Sequence, residues 1–190
     1  PPTNYWVYPH DDLQGEYARV RRGEFSDDPA VFVSSASLKD RDNPRLCPQG
    51  QTNLQLMAVV PPQPSAWGLE LGKERGEAYQ SAKDELSRRM LTTADRALPG
   101  LADSVVYSDL STPYTETRYV GVTDGTSYGI AATPDQALWN KPGPATPIPG
   151  LYLAGASTRF SHGIPGTMGG GVQAATAILG RSAIKAVTGT

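Results

Sequence analysis

The sequence predicts an α+β fold: a mixed or antiparallel sheet with one long helix, followed by a C-terminal strand, a Gly-rich loop and a buried helix. Three observations predict it. Residues 53–61, NLQLMAVVP, put Leu54, Leu56, Ala58 and Val60 on one side, the period of a strand with one buried face. Residues 72–98 space Tyr79, Ala82, Leu86, Met90 and Ala94 by three or four with charges elsewhere, the stripe of an amphipathic helix. HGIPGTMGGGVQAATAILG, residues 162–180, has five glycines in its first ten positions and then an Ala-rich run from Val172 to Leu179. That pattern suits a bare backbone approaching another group before entering a helix packed on both sides.

The elements follow in order. NYWVY at 4–8 and VFVSS at 31–35 are short strand-like runs. LKDRDNPRLCPQGQ reads as a surface loop, because Asp42-Asn43-Pro44 and Pro48-Gln49-Gly50 are turn chemistry. PPQPSAWG at 61–68 is a proline-rich connector into the long helix, and Pro99-Gly100 stops that helix. DSVVYSDLSTP reads as a strand running into a turn at Pro113. From Gly121, Gly and Pro recur too densely for regular structure until LYLAGAST, a short apolar strand ending at Gly155. Strand, Gly-rich turn and buried helix form half of a nucleotide-type crossover, and no G-x-G-x-x-G follows any strand here. The unpaired N–H groups and partial positive charge at such a helix start suit a phosphate or an electron-rich ring.

Composition narrows the function classes. The chain has 190 residues, 38% of them hydrophobic and 19% charged, enough for one sizeable core or two small ones. Lys and Arg number 17 against 19 acidic residues, so nucleic acid is not an expected partner. The single cysteine, Cys47, excludes an internal disulfide and reads as a small buried hydrophobe. No stretch reaches the ~20 apolar residues of a membrane span. No His/Cys set has metal-ligand spacing, so no metal is expected, and GASTR lacks the Gly-x-Ser-x-Gly of a hydrolase elbow. Asp11-Asp12 and Asp27-Asp28 read as solvated, and His10 and His162 as polar loop residues, so no catalytic residue is assigned. Trp6, Tyr8, Tyr79, Met90 and Trp139 are expected in core or pocket packing. A start at Pro1-Pro2-Thr3 without methionine reads as a piece of a longer chain.

Three stretches, in order, are similar to the C-terminal part of the flavin-dependent phytoene desaturase, carotenoid isomerase and retinol saturase group, which has an amine-oxidase-like FAD fold. They are DDPAVFVSSASLKDRDNPRLCPQGQTNLQLMAVVP, LSTPYTETRYVGVTDGTSYGI and PIPGLYLAGASTRFSHGIPGTMGGGVQAATAIL. The resemblance implies that residues 1–130 belong to a substrate domain. It implies that 131–190 complete a Rossmann-like FAD domain whose N-terminal half, the expected partner, is absent from these residues. It also implies FAD as cofactor, an apolar polyene such as a carotenoid- or retinoid-like isoprenoid as substrate, and a cytoplasmic protein with peripheral membrane contact.

Carried over by position, Gly155, Ala156 and Ser157 match the strand end beside the ribityl and phosphate chain of the flavin. Ala156 stands where many relatives of the broader fold have an acid, which leaves backbone groups or the Ser157 hydroxyl to make the contact. Gly163, Ile164, Pro165, Gly166 and Thr167 match the loop and helix start under the pyrimidine edge, where a helix N-terminus would ease reduction. Three readings stay open: desaturation or saturation by hydride transfer, redox-neutral cis–trans isomerisation, and a non-catalytic lipid- or partner-binding module. The resemblance assigns the main grip on FAD to the absent half, so the chain alone is expected to bind FAD weakly or not at all and to be inactive.

Overall fold

Strand pairing in the first half follows the alternation of its side chains. In a computed structural model, which describes residues 3–70, 75–131, 133–160, 162–180 and 182–188, the chain divides into two compact units, Pro1–Thr115 and Glu116–Thr190. The first unit opens with β1 (Tyr5–Val7), α1 (Leu13–Arg21), β2 (Val31–Ser34), α2 (Ala36–Lys39) and β3 (Gln55–Met57). The strands form one antiparallel sheet in the order β1-β2-β3. Tyr5 pairs with Val33 and Val33 with Leu56, while Trp6 pairs with Phe32 and Phe32 with Met57. Val31 and Val33 are buried with Tyr5, Val7, Leu54, Leu56, Ala58 and Val60 packed against that core. The inward alternation of 53–61 therefore runs beyond the hydrogen-bonded strand.

Helix α1 starts at Asp12, whose exposed carboxylate accepts the Gly15 N–H at 2.8 Å, so this solvated acid also caps a helix. From α1, the buried Glu16 accepts the Ala30 N–H at 2.9 Å and fixes the entry to β2. Helix α2 is capped by Ser35 and overlaps only Leu38 and Lys39 of the stretch read as a loop. The remainder of that loop is held by Asn53, which accepts from Ser37 N–H and donates to the Leu46 carbonyl. Cys47 is half-buried, with its thiol donating to the Gln51 carbonyl at 3.2 Å.

The connector 61–68 contains a 3₁₀ turn, Pro64–Trp67, and the most deeply buried large side chain of the unit. Trp67 is fully buried, its indole N–H donates to the Pro61 carbonyl at 2.8 Å, and its ring meets Phe25 edge-on at 4.8 Å. Helix α3 (Glu77–Ala97) packs on all three strands and on that turn. Its buried positions include Tyr79, Leu86, Met90 and Ala94, as the spacing predicts; the expected start at Gly72 lies outside the described residues. Asp27 is solvated as expected, its side chain 87% exposed, whereas Asp28 is half-buried and engaged. Asp28 accepts from the buried Thr93 hydroxyl at 3.0 Å and pairs with Arg96 at 2.7 Å, and Asp27 pairs with Arg89 at 3.0 Å. These contacts tie the loop before β2 to α3.

Two expectations fail after α3. DSVVYSDLSTP is not a strand: Ala102–Ser104 is a 3₁₀ turn, and Val106 and Tyr107 are exposed. β-branched composition favours extended backbone, but a strand also needs a neighbour, and the sheet holds only β1, β2 and β3 among the described residues. Pro113 opens α4 (Pro113–Val120) instead of a turn. Proline at the first helical position loses no bond, and the Thr112 and Thr115 hydroxyls accept from each other's backbone N–H.

The opposite face of the sheet also departs from expectation. Trp6 and Tyr8, expected in core or pocket packing, are exposed, as is Trp139 in the second unit, while Met57 and Val59 are exposed as the alternation of 53–61 implies. Trp6, Phe32 and Met57 form one row across the strands, with Trp6 against Phe32 at 4.6 Å and stacked on Tyr8 at 6.3 Å between centroids. No described helix is long and apolar enough to cross a membrane.

Candidate functional site

The second unit is built around α5 (Gly163–Leu179), followed by α6 (Ile184–Thr188). The glycines expected to form a loop are helical. Each glycine costs a helix about 1 kcal/mol relative to alanine; close packing accounts for glycine at 169 and 170, while 163 and 171 have open space where a Cβ would go. A Cβ on Gly170 would lie 3.1 Å from the Thr158 Oγ1 and 3.4 Å from the Gly155 nitrogen. One on Gly169 would overlap the Phe160 ring. Gly180, in the left-handed region at φ 64°, ends the helix.

The segment LYLAGAST is not a full strand. One isolated antiparallel bridge joins Ala145 to Tyr152, with further bonds from Leu153 N–H to the Pro144 carbonyl at 2.8 Å and from Arg159 N–H to the Pro142 carbonyl at 2.9 Å. The facing stretch KPGPATPIPG explains this, because Pro142, Pro144, Pro147 and Pro149 have no N–H to give a ladder.

Gly155, Ala156 and Ser157 form a tight turn beside the middle of α5. Gly155 has φ 105°, open to glycine alone at low cost. Its carbonyl accepts from both the Thr158 N–H at 3.1 Å and the Thr158 hydroxyl at 2.7 Å. Gly129, at φ 79°, comes so close that a Cβ there would lie 2.9 Å from the Ala156 carbonyl carbon and from the Ser157 nitrogen. The Lys141 ammonium, on a residue only 5% exposed, donates to the Ala156 carbonyl at 3.4 Å. The N–H groups of Ala156 and Ser157 make no backbone hydrogen bond among the described residues.

Gly163, Ile164, Pro165, Gly166 and Thr167 are the first residues of α5, and His162, its N-cap, gives no side-chain cap to the helix. The Thr167 hydroxyl donates back to the Gly163 carbonyl at 2.9 Å. The His162 ring lies 4.5 Å from that of Tyr128. Both candidate sets therefore present backbone donors, one at a turn and one at a helix start. Ser161, between them, lies outside the described residues.

Charge adds a feature that motif reading missed. Residues 136–190 contain Lys141, Arg159, Arg181 and Lys185 and no Asp or Glu. A net charge near zero over the whole chain hides this, and a count by segment exposes it. N–H groups without a backbone partner, a helix start without a side-chain cap and a segment without carboxylates fit an anionic, phosphate-bearing group. Among the described residues no cluster of His, Cys, Asp or Glu could hold a metal ion.

Residues 72–179 match the flavin containing amine oxidoreductase family. The chain belongs to that family. It is 28% identical over 191 residues to the all-trans-retinol 13,14-reductase of Danio rerio, covering 94% of this chain and 30% of that protein. It is 27% identical to the neurosporene-forming phytoene desaturase of Rhodobacter capsulatus, covering 79% of this chain and 27% of that protein. With the 4,4'-diapophytoene desaturase of Staphylococcus aureus the identity is 25%, over 82% of this chain and 30% of that protein. The chain thus spans under a third of the length of these curated relatives.

Proposed function

We propose that this chain is part of an FAD-dependent oxidoreductase that desaturates or saturates an extended apolar polyene of carotenoid or retinoid type. The observation that carries the reading is family membership together with relatives named for reducing retinol or desaturating phytoene. In this reading residues 1–130 serve substrate binding and 131–190 complete the FAD domain, with a dinucleotide-binding half from the same protein supplying the main grip.

FAD, when bound, supplies the acceptor or donor of hydride. This chain's residues bind and orient. Gly155, Ala156 and Ser157 offer their turn to the ribityl and phosphate chain, with backbone donors in place of the acid that Ala156 replaces. Gly163, Ile164, Pro165, Gly166 and Thr167 aim the start of α5 at the pyrimidine edge, where a helix end contributes ~0.3–2 kcal/mol toward holding negative charge. The row of Trp6, Phe32 and Met57, with no charged side chain within it, offers a flat apolar surface suited to a conjugated chain.

The test is direct. The full-length protein should retain flavin absorption, and its polyene product should differ from substrate by two hydrogens. A protein that never holds flavin overturns the reading. A product of unchanged mass and altered geometry replaces it with isomerisation. The 190 residues alone should bind FAD weakly, because helix-end attraction does not offset the several kcal/mol of association cost. Submicromolar stoichiometric binding would move the whole cofactor site into this chain.

A further inference from the structure

Lys141 poses a problem of physical chemistry. Its residue is only 5% exposed, yet among the described residues its hydrogen-bond partner is one carbonyl at a long 3.4 Å and it forms no ion pair. A buried charge without a counter-charge is costly to the folded chain.

The geometry says where that charge acts. A trans peptide is planar, with its C=O and N–H pointing opposite ways. The Ala156 carbonyl is turned toward Lys141, so the Ser157 N–H of the same peptide is turned away from it. Gly129 lies against that peptide, where any side chain would collide with it. Thr158 holds the preceding carbonyl, that of Gly155, through both its N–H and its hydroxyl. Two successive peptides are fixed by their carbonyls, and their N–H groups, on Ala156 and Ser157, make no backbone bond among the described residues. Adjacent fixed N–H donors backed by a cation form an anion-binding concavity.

We infer that Lys141 is a positioning residue for an anionic group of FAD: its buried ammonium holds the Ala156 carbonyl so that the Ser157 N–H is presented to a phosphate oxygen. The inference rests on the FAD reading above and adds a residue to it. The ammonium does not touch the phosphate. It orients the donor and raises the local potential in a region of low dielectric.

The experiment uses the full-length protein, FAD as the probe and two substitutions. Lys141→Met keeps the length and apolar stem and removes the charge. It is expected to weaken FAD binding about tenfold, the scale of one charge-assisted contact, while the thermal midpoint of the apoprotein stays level or rises. Those opposite signs distinguish the role from a structural one. Lys141→Arg, which restores the cation, is expected to recover most of the affinity. Unchanged FAD affinity in Lys141→Met overturns the inference and leaves the proposed function standing. A fall in apoprotein stability parallel to the loss of affinity, not reversed by Arg, also overturns it. A wild-type protein that binds no FAD removes the proposed function and this inference with it.

Discussion

The hydroxyl of Thr93, on a fully buried residue of α3, donates to the carboxylate of Asp28 at 3.0 Å. Asp28 also pairs with Arg96, but both of those side chains are partly exposed, and an exposed pair contributes under about 1 kcal/mol. The two bonds are therefore unequal. Asp28→Ala strands a buried hydroxyl and should lower unfolding free energy by about 1–3 kcal/mol. Asp28→Asn keeps an acceptor for Thr93 and should cost less than half of that. Urea denaturation of both variants checks the ordering, and equal losses would show that the charge pair, not the buried hydroxyl, carries the contact.

Acid should loosen α3 through Glu85. Hydrogen bonds from Arg88 and Arg89 pull its carboxyl from 4.5 to about 2. Because the folded value lies below the unfolded one, the stabilisation is fully present above pH 4.5 and is lost as pH falls toward 2. Glu85→Gln should therefore be less stable than wild type above pH 4.5, and the two should converge between pH 4.5 and 2. Thermal melts across that window check it, and high salt should shrink the gap because the group is exposed.

Much of the first unit was legible in the residues. The period-two alternation of Leu54 to Val60 and the stripe from Tyr79 to Ala94 report burial directly, and burial is what a hydrophobic period encodes. Trp67 was hidden because its prolines marked a connector, and nothing local says that a connector folds inward. α4 was hidden because Pro113 reads equally as a turn and as a first helical residue. In the second unit, Gly163 to Gly171 reads as loop by propensity, and the close approach of Thr158 and Phe160, which accounts for glycine at the helical positions 170 and 169, is not visible in the sequence. The candidate positions Gly155 to Ser157 came from resemblance. Lys141 emerges only when its burial and its single carbonyl partner are both known.

The apolar row on the open sheet face should govern substrate affinity. Trp6 is 66% exposed, so Trp6→Ala removes little core packing and, with its cross-strand pair to Phe32 lost, should cost no more than about 1 kcal/mol of stability. If the row receives the polyene, the same change should raise KM about tenfold or more, since burying a large aromatic against an apolar ligand is worth over 1 kcal/mol. Flavin content should stay unchanged. Steady-state kinetics of the full-length enzyme decide, and an unaltered KM places the polyene elsewhere.

Three neighbouring glycines of α5 separate helix propensity from close approach. Gly171 has open space where a Cβ would go, so Gly171→Ala should stabilise the fold by up to about 1 kcal/mol through propensity alone. Gly169 faces the Phe160 ring, but Phe160 is about half exposed and its ring can swing outward. Gly169→Ala should thus be close to neutral, propensity offsetting the displaced ring. A Cβ on Gly170 would lie 3.1 Å from the Thr158 hydroxyl, which is already fixed on the Gly155 carbonyl at 2.7 Å. Gly170→Ala must push the turn itself, moving the donors of Ala156 and Ser157 by a few tenths of an ångström. The helix should survive with near wild-type circular dichroism, while FAD affinity in the full-length protein falls severalfold, because a misplaced donor loses much of a charge-assisted bond. If Gly170→Ala binds FAD as tightly as Gly171→Ala, the 155–157 turn is not where the cofactor is held.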